Sequence, residues 1–190
     1  MNPLELIAVA LGLANVGLLV RRSIWNYPFG MAMVALYIAI FWEAKLYSEA
    51  GLQVFFFAVQ GWGWRLWAQA GGLEQAVAVY WMDRRARLVS LFAVVAIALG
   101  LGTMMHSFTD AAMPFADAAI TGGSVVAQVL LSVRRIENWL LWIAVDVGAI
   151  ALYIDRGLLL TAGLYCAFLV LAILGLIRWI RANRRLAEPA

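Results

Sequence analysis

Apolar residues are gathered into seven long runs along this chain. The runs lie at roughly 3–20, 27–42, 50–68, 88–105, 115–133, 139–154 and 158–179. Each is close to the roughly 17–25 residues that an α-helix needs to cross a bilayer. Hydrophobic residues make up 65% of the 190 residues and charged residues only 13%, about half the usual share of roughly 25%. A soluble domain of this size could not bury so much apolar surface, so the runs predict an all-α membrane protein with seven transmembrane helices.

Lys and Arg residues are distributed unevenly between the runs. With the N-terminus outside, twelve of the 14 fall on the cytosolic side, and only Lys45 and Arg156 fall outside. The cytosolic set is Arg21, Arg22, Arg65, Arg84, Arg85, Arg87, Arg134, Arg135, Arg178, Arg181, Arg184 and Arg185. The positive-inside rule therefore predicts an outer N-terminus and a cytosolic C-terminus. Because topology accounts for these residues, we expect no nucleic-acid partner.

The first three runs resemble the last three at one constant offset of 112 residues, without a gap. The most informative matches are Arg22 with Arg134, Asn26 with Asn138, Gly63 with Gly175 and Trp67 with Trp179. One intervening helix restores the direction of the chain, so the two repeats are predicted to be parallel, as in SWEET-type transporters.

This 3+1+3 plan divides the chain into three parts. Residues 1–68 form the first three-helix repeat, residues 69–112 a cytosolic loop and connector helix, and residues 113–190 the second repeat and a cytosolic tail. We expect the basic tail after Trp179 to fray, as chain termini often do. Parallel repeats of this kind predict a transporter whose substrate lies between the repeats near mid-bilayer.

A pseudo-symmetric scaffold can hold an asymmetric ligand only where its halves differ. Five polar or aromatic residues have an apolar residue at the offset position: Gln60 (Ala172), Trp62 (Leu174), Trp64 (Leu176), Gln128 (Val16) and Asp146 (Val34). These residues are therefore candidates for a binding site, although polar side chains such as Gln60 and Gln128 can also hydrogen-bond between helices.

Helical periodicity groups these candidates into two stripes. At about 100° per residue, one face of the third run carries Gln53, Gln60, Trp64 and Trp67, and Trp62 points away from it. One face of the sixth run carries Trp139, Trp142, Asp146 and Tyr153. Two such faces could close on one flat ligand. Three other tryptophans, Trp25, Trp81 and Trp179, are expected at the membrane surface, where aromatic belts form.

Asp146 is the residue that most restricts the ligand. A carboxylate at the bilayer centre costs about 2.5–3.5 kcal/mol on insertion scales, and no basic residue lies within one turn of it. It therefore needs a hydrogen-bonding neighbour, a proton, water or a cationic ligand. A carboxylate beside indole faces is the chemistry that binds a delocalised cation. A proton-coupled carrier, in which Asp146 titrates, stays open.

Catalytic and metal-binding patterns are missing from the sequence. His106 is the only His, which excludes haem held by two His ligands, and Cys166 is the only Cys. There is no P-loop, H-E-x-x-H or G-x-S-x-G motif. We therefore expect no enzyme, cofactor or metal, although an intramembrane enzyme is the alternative class; such an enzyme would convert its substrate without moving it.

Six stretches resemble the nicotinamide riboside transporter (PnuC) family of bacterial inner membranes. They are "WNYPFG" at 25–30, "LY" at 46–47, "QGWGWRLW" at 60–67, "AQVLLSVRRIENWLLWIAVD" at 127–146, "TAGLY" at 161–165 and "GLIRW" at 175–179. The resemblance implies a SWEET-like fold of seven helices, commonly a homotrimer. It also implies that the protein, embedded in the lipid bilayer, carries a vitamin B precursor across it by facilitated diffusion. A cytosolic kinase then traps the imported compound.

The resemblance also bears on individual residues. A family W-x-x-W signature falls on Trp64 and Trp67, and a second Trp-rich signature on Trp139 and Trp142. The residue four positions after the second signature is often Asn in the family, whereas here it is Asp146. Thiamine carriers belong to the same superfamily, and both vitamins carry a cationic heteroaromatic ring, so thiamine is the alternative substrate. The complete candidate set is Gln53, Gln60, Trp64, Trp67, Gln128, Asn138, Trp139, Trp142, Asp146 and Tyr37.

Overall fold

The computed structural model describes residues 3–43, 47–108, 113–155, 157 and 159–187. These ranges contain seven α-helices: α1 (Pro3–Val20), α2 (Asn26–Glu43), α3 (Tyr47–Gln69), α4 (Arg84–Phe108), α5 (Pro114–Ser132), α6 (Asn138–Asp155) and α7 (Leu159–Ala187). Each predicted run therefore corresponds to one of these helices over its described residues. Two residues used in the topology prediction, Lys45 and Arg156, lie outside the described residues.

Four of the helices are individually long and apolar enough to cross a membrane. They are α4, α5, α6 and the Thr161–Arg185 part of α7. Residues Leu6–Val20 of α1 are also apolar but shorter. Length and hydropathy thus agree with a multi-pass membrane protein.

Local sequence signals place several helix ends. Pro114 occupies the first turn of α5, where its missing N–H costs nothing. The Asp83 side chain accepts a hydrogen bond from the Ala86 amide at 2.7 Å and so caps the start of α4. Helix α3 ends before Gly71, whose φ of 80° is accessible to glycine at little cost.

Six helices pack in a closed ring in the order α1, α2, α3, α5, α6, α7 and back to α1. Helix α4 packs against α5 outside this ring, and among the described residues it packs on no other helix. The ring has two contacts between the halves of the chain, α1 with α7 and α3 with α5. A central space is therefore enclosed by the six ring helices.

The turns after α1 and α5 have the same geometry. Arg22 and Arg134, 112 positions apart, have φ angles of 58° and 61°, a left-handed conformation that is uncommon outside glycine. Four residues beyond each arginine, an Asn side-chain N–H donates to the carbonyl three residues back: Asn26 to Ser23 at 2.7 Å and Asn138 to Arg135 at 2.6 Å. The sequence matches at this offset therefore correspond to matched local structures.

An extended segment, residues 76–83, connects both turns, and we call it the strap. The Val77 amide donates to the Arg22 carbonyl at 3.4 Å, and the Tyr80 amide donates to the Arg134 carbonyl at 3.1 Å. Val77 and Val79 are 1% and 0% exposed. The strap thus covers the end of the bundle that carries both turns, which we call the basic end because most arginines lie there.

Helix α7 continues to Ala187 at the basic end, so the prediction of a frayed tail after Trp179 was wrong for residues 180–187. The position equivalent to Gly71, which follows the end of α3, is Asn183 in α7. Asn183 continues the helix, and its side chain donates to the Val79 carbonyl of the strap at 2.9 Å. Because no glycine ends α7 at this position and the Asn183 side chain is anchored to the strap, the helix continues.

Candidate functional site

A cavity of about 530 Å³ lies inside the ring of six helices. All six ring helices contribute to its lining, and α4 does not. Its volume falls within the roughly 300–1,000 Å³ that is typical of small-molecule sites. The cavity is therefore the principal candidate for a binding site among the described residues.

Seven of the ten predicted site residues line this cavity. They are Tyr37, Gln53, Gln60, Gln128, Trp139, Trp142 and Asp146. They come from α2, α3, α5 and α6. The fold thus brings together most of the two predicted stripes and adds α2 and α5 to them.

Some cavity-lining positions that the 112-residue offset relates differ in polarity. Gln60 and Asp146 are 6% and 4% exposed, and their apolar counterparts Ala172 and Val34 line the same cavity. Gln128 and its counterpart Val16 also both face it. The two halves therefore present different chemistry to one space, as an asymmetric ligand requires.

The cavity wall at α1, α2 and α3 holds an amide cluster. Asn15 donates from its side-chain nitrogen to the Asn26 carbonyl at 2.9 Å. A Cβ built on Gly30 would overlap both Asn15 Nδ2 and Gln60 Oε1. Gly30 thus lets the two side-chain amides approach the α2 backbone closely, and a larger residue would displace them.

Aromatic rings form the part of the wall further from the basic end. The rings of Tyr153 and Tyr165 lie 5.2 Å apart between centroids, and Tyr165 contacts Phe168 edge-on at 6.0 Å. On the α2 side, Tyr37 and Phe41 stack at 5.6 Å. These rings and the indole of Trp142 give the cavity apolar faces of the kind on which a flat ring can stack.

Trp139 lies at the end of the cavity nearest the basic end. It is 1% exposed, and its indole nitrogen has no hydrogen-bond partner among the described residues. Buried indole N–H groups usually have a partner. The indole N–H of Trp139 is thus a buried donor without a partner among the described residues, and the ring itself packs against Trp179 and Gly175.

Below the cavity lies an aromatic layer formed by Tyr27, Trp67, Trp139 and Trp179, each at most 1% exposed. Trp67 meets Tyr27 edge-on with centroids 5.3 Å apart, and Trp179 meets Trp139 in the same way at 5.5 Å. Val77 and Val79 of the strap belong to the same buried cluster. The layer and the strap together close the cavity toward the basic end.

Three predicted site residues do not line the cavity. Trp67 lies on the same α3 face as Gln60 but about two turns nearer the basic end, inside the aromatic layer. Trp64 sits at the edge of that face and is 37% exposed. Asn138 is fully buried in the turn that begins α6, where its side chain holds the Arg135 carbonyl. Helical periodicity gave the correct face of α3 for Trp67 but not its depth, and it did not predict the exposure of Trp64.

Trp179 also differs from its prediction. It was expected at the membrane surface, but it is 0% exposed and its indole N–H donates to the Leu19 carbonyl at 3.2 Å. Trp25 and Trp81, expected at the surface with it, are 63% and 38% exposed. The aromatic belt expected at the membrane surface suggested an interface position, whereas packing against the first repeat buries this indole.

The cavity lining carries a single negative charge among its described residues. Among the described residues that line it, Asp146 is the only charged side chain, and there is no Lys, Arg or His. No group of three His, Cys, Asp or Glu side chains in the described ranges could hold a metal ion. The lining therefore favours a cationic or neutral ligand with an aromatic ring over an anionic one.

A sequence model of a family described as nicotinamide mononucleotide transporter matches residues 2–181. The match spans nearly the whole chain. This chain belongs to the nicotinamide mononucleotide transporter family. The resemblance inferred from the tryptophan-rich stretches is thereby confirmed at the level of the family.

Individual relatives of this family member carry names that differ in substrate. It is 28% identical to the nicotinamide riboside transporter PnuC of Escherichia coli (strain K12), over 98% of this chain and 89% of that protein. It is 26% identical to the riboflavin/roseoflavin transporter RibM of Streptomyces davaonensis, over 97% of this chain and 88% of that protein.

A solved structure agrees with the fold of this family member. The crystal structure of the vitamin B3 transporter PnuC superposes with a TM-score of 0.77 at 28% identity. The superposition covers 97% of this chain and 84% of the other. The ring of helices is therefore an arrangement that a solved relative shares.

Sequence reasoning missed several lining residues of this family member. Asn15, Ser124, Thr161 and Tyr165 are not in the predicted candidate set, yet all four face the cavity. One signal was available for Tyr165, because its counterpart at the 112 offset is Gln53. Polar residues at both positions of a pair could have marked the second wall.

Proposed function

We propose that this protein carries nicotinamide riboside across the membrane. The observation that carries the proposal is the charge of the cavity lining, in which Asp146 is the only charged side chain among the described residues. Nicotinamide riboside has a flat, positively charged pyridinium ring, a carboxamide and an uncharged ribose. A buried carboxylate beside aromatic rings suits that cation.

The same observation favours the riboside over the mononucleotide. A phosphate group carries negative charge and is normally bound by arginine, lysine or backbone N–H groups. The described lining has no basic side chain, and its carboxylate would repel a phosphate. Burying an unpaired phosphate in such a cavity would cost several kcal/mol, by the order of magnitude known for buried ions.

Other lining groups match the remaining parts of this ligand. Trp142 and the ring pair Tyr153–Tyr165 offer faces on which the pyridinium ring can stack. The side-chain amides of Asn15, Gln60 and Gln128 can hydrogen-bond the carboxamide and ribose hydroxyls. The role of each residue is part of the proposal.

The proposed scaffold has seven membrane spans in a SWEET-like 3+1+3 plan, with α1–α3 and α5–α7 as parallel repeats and α4 as the connector. The matched turns at Arg22 and Arg134 support it, as do the equivalent ring pairs Tyr27–Trp67 and Trp139–Trp179. The concentration of arginines at one end supports an outer N-terminus and a cytosolic C-terminus.

We place the carrier in the bacterial inner membrane, because the relatives that it matches over most of their length are bacterial, and we propose that it forms a homotrimer. The trimer rests on the family resemblance alone. The described part of α4 exposes Leu88, Leu91 and Phe92, an apolar surface available to lipid or to another subunit. Light scattering in detergent tests the trimer, and a monomer mass would contradict it.

The proposed mechanism is facilitated diffusion. Proteoliposomes that contain the protein should equalise labelled nicotinamide riboside across the membrane and should ignore an imposed proton gradient. Accumulation driven by acid outside would instead identify a proton-coupled carrier. Recovery of a chemically changed product would identify an enzyme.

Calorimetric titration of the purified full-length protein tests the substrate. The informative pair is nicotinamide riboside and its dihydro form, since the reduced ring has nearly the same shape and no charge. Wild type should bind the cation more tightly. Asp146→Asn should cost the cation about 3–5 kcal/mol and the neutral form much less, because Asn keeps the size and one acceptor.

Gln128→Leu is the matched control, since it removes a polar lining group and leaves the charge. It should weaken both forms of the ligand to a similar extent. Equal loss for the charged and neutral ligands in Asp146→Asn would assign Asp146 to structural hydrogen bonding and overturn the charge argument.

Two other vitamins serve as competitors in the same titration. Riboflavin is the second candidate, because the relative RibM is named as its transporter; thiamine shares the cationic ring. Tighter binding of riboflavin than of nicotinamide riboside would keep the fold and the cavity but replace the substrate, and binding of thiamine alone would do the same.

A further inference from the structure

A second concavity lies at the basic end, apart from the central cavity. It has a volume of about 490 Å³. Its lining consists of Val20 and Arg21 and Arg22 from the first turn, and of Arg178, Arg181, Ala182 and Arg185 from α7. No lining residue is shared with the central cavity. We call it the arginine pocket.

The five arginines reach this pocket for identifiable reasons. Arg178, Arg181 and Arg185 are spaced three and four residues apart, so they share one face of α7. Arg184 points about 90° away from the centre of this face and is not part of the lining. The left-handed backbone at Arg22 turns the chain so that Arg21 and Arg22 meet that face of α7.

Pseudo-symmetry shows that the scaffold does not need these charges. The residues at the 112 offset from Arg178, Arg181 and Arg185 are Leu66, Gln69 and Leu73. Leu73 lies beyond the end of α3, whereas Arg185 stands on the additional turns of α7. Positive-inside topology requires basic residues on one side of the membrane, but it does not require five in one concavity.

The charges in the pocket are not neutralised within the described chain. The ion pair that the described residues contain joins Arg87 to Glu137, outside the pocket. Burial lowers the pKa of the Arg22 guanidinium, and the positive charge of Arg185 lowers it further. The arginines therefore repel one another, and a bound anion would relieve that repulsion.

We propose that the arginine pocket binds a phosphate group, carried either by an anionic phospholipid or by a soluble phosphate ester. Guanidinium groups hold phosphate oxygens through paired N–H donors, and several arginines around one concavity can surround a single phosphate. Basic pockets at helix ends bind anionic lipid headgroups in membrane proteins. Arg22 also donates to the Val77 carbonyl at 3.0 Å, so the bound phosphate lies next to the strap.

Thermal unfolding of the delipidated full-length protein in neutral detergent tests this site. In the lipid arm, phosphatidylglycerol is compared with phosphatidylcholine. In the soluble arm, inorganic phosphate and adenosine monophosphate are compared with chloride at equal ionic strength. We expect a rise in Tm in one arm: the lipid arm identifies a membrane phosphate, and the soluble arm a free phosphate ester.

The triple variant Arg178→Gln/Arg181→Gln/Arg185→Gln should bind the successful probe about 100-fold more weakly, from about 1 kcal/mol per arginine. The single variant Arg181→Gln should lose about fivefold by the same arithmetic, and it serves if the triple variant is unstable. The control Arg65→Gln/Arg84→Gln/Arg85→Gln removes the same charge from exposed positions outside the pocket and should bind like wild type.

Two results would overturn the proposal. One is the absence of any anion-dependent rise in Tm in both arms for wild type. The other is an equal loss of binding in the pocket triple variant and the control triple variant, which would reduce the effect to net charge. Neither result bears on the substrate of the central cavity.

Discussion

The indole rings of Trp67 and Trp179 meet in the aromatic layer with centroids 6.1 Å apart. The N–H group of each indole donates a hydrogen bond to a backbone carbonyl in the opposite half of the chain. Trp67 Nε1 donates to the Leu131 carbonyl at 3.4 Å, and Trp179 Nε1 donates to the Leu19 carbonyl at 3.2 Å. Donors and acceptors alike are 112 residues apart. The two indoles therefore join α3 to α5 and α7 to α1, where the ring closes.

Replacing these indoles should weaken the fold rather than only the site. Trp67→Ala and Trp179→Ala should each lower the free energy of unfolding by about 3–5 kcal/mol, the usual loss for a buried tryptophan. Trp62→Ala, at a position 46% exposed, should cost less than about 0.5 kcal/mol. Unfolding in detergent measures all three. A Trp67→Ala protein as stable as Trp62→Ala would contradict the structural role.

Two glycines allow the aromatic layer to pack. A Cβ on Gly63 would lie 2.6 Å from the Tyr27 hydroxyl, and one on Gly175 would lie 2.5 Å from ring atoms of Trp139. Gly63→Ala and Gly175→Ala should destabilise the protein by about 1–3 kcal/mol, as overpacking does.

Gly51 and Gly163 supply the matched controls for this prediction. They are also related by the 112 offset, and a Cβ on either would meet nothing within 4 Å. Gly51→Ala and Gly163→Ala should therefore leave the Tm unchanged or raise it slightly, because Ala favours the helix. Equal losses in all four variants would mean that helix propensity or lipid contact, rather than ring packing, sets the effect.

Glu137 anchors the strap. It is 7% exposed. Its carboxylate accepts hydrogen bonds from the Met82 amide at 3.0 Å and from Arg87 Nε at 2.8 Å. Glu137→Ala should cost about 1–3 kcal/mol, because the Met82 amide loses its partner. Arg87→Gln should cost about 0–1 kcal/mol, since 53% of the Arg87 side chain is exposed to solvent. Thermal unfolding separates the two, and a larger effect of Arg87→Gln would contradict the ranking.

Gly30 tests the amide cluster of the cavity. The added methyl of Gly30→Ala would displace the side-chain ends of Asn15 and Gln60, which are flexible enough to move. We expect folded protein whose affinity for nicotinamide riboside is weaker by about 0.5–1.5 kcal/mol, the worth of one hydrogen bond. Gly61→Ala is the control, because its Cβ would make only an ordinary 4.0 Å contact with Met31. Unchanged affinity in Gly30→Ala would remove these amides from the site.

The proposed orientation has its own measurement. A reporter fused after Arg185 should be cytosolic, and one inserted near Met113 should be outside. Their activities in intact cells decide the question. Finding both reporters on one side would exclude the seven-span arrangement and, with it, the parallel repeat.

Much of the architecture follows from the order of residues alone. Seven apolar runs predicted seven helices, because a helix satisfies its own backbone hydrogen bonds and this holds whatever surrounds it. The offset of 112 likewise predicted related positions, and the matched turns at Arg22 and Arg134 show why it is informative. A turn is a local structure, so the same key residues at equal spacing, Arg22 and Asn26 in one turn and Arg134 and Asn138 in the other, produce it twice.

The tertiary structure decided which aromatic residues face the cavity. Trp142 lines the cavity, Trp67 and Trp179 are buried beneath it, and Trp64 turns outward, although all four are tryptophans near the basic end. A helical period specifies an angle around one axis. It does not specify how deep a residue lies relative to helices more than 60 residues away in sequence. That depth depends on contacts such as Gly175 against Trp139, which form only when the two halves close into one ring.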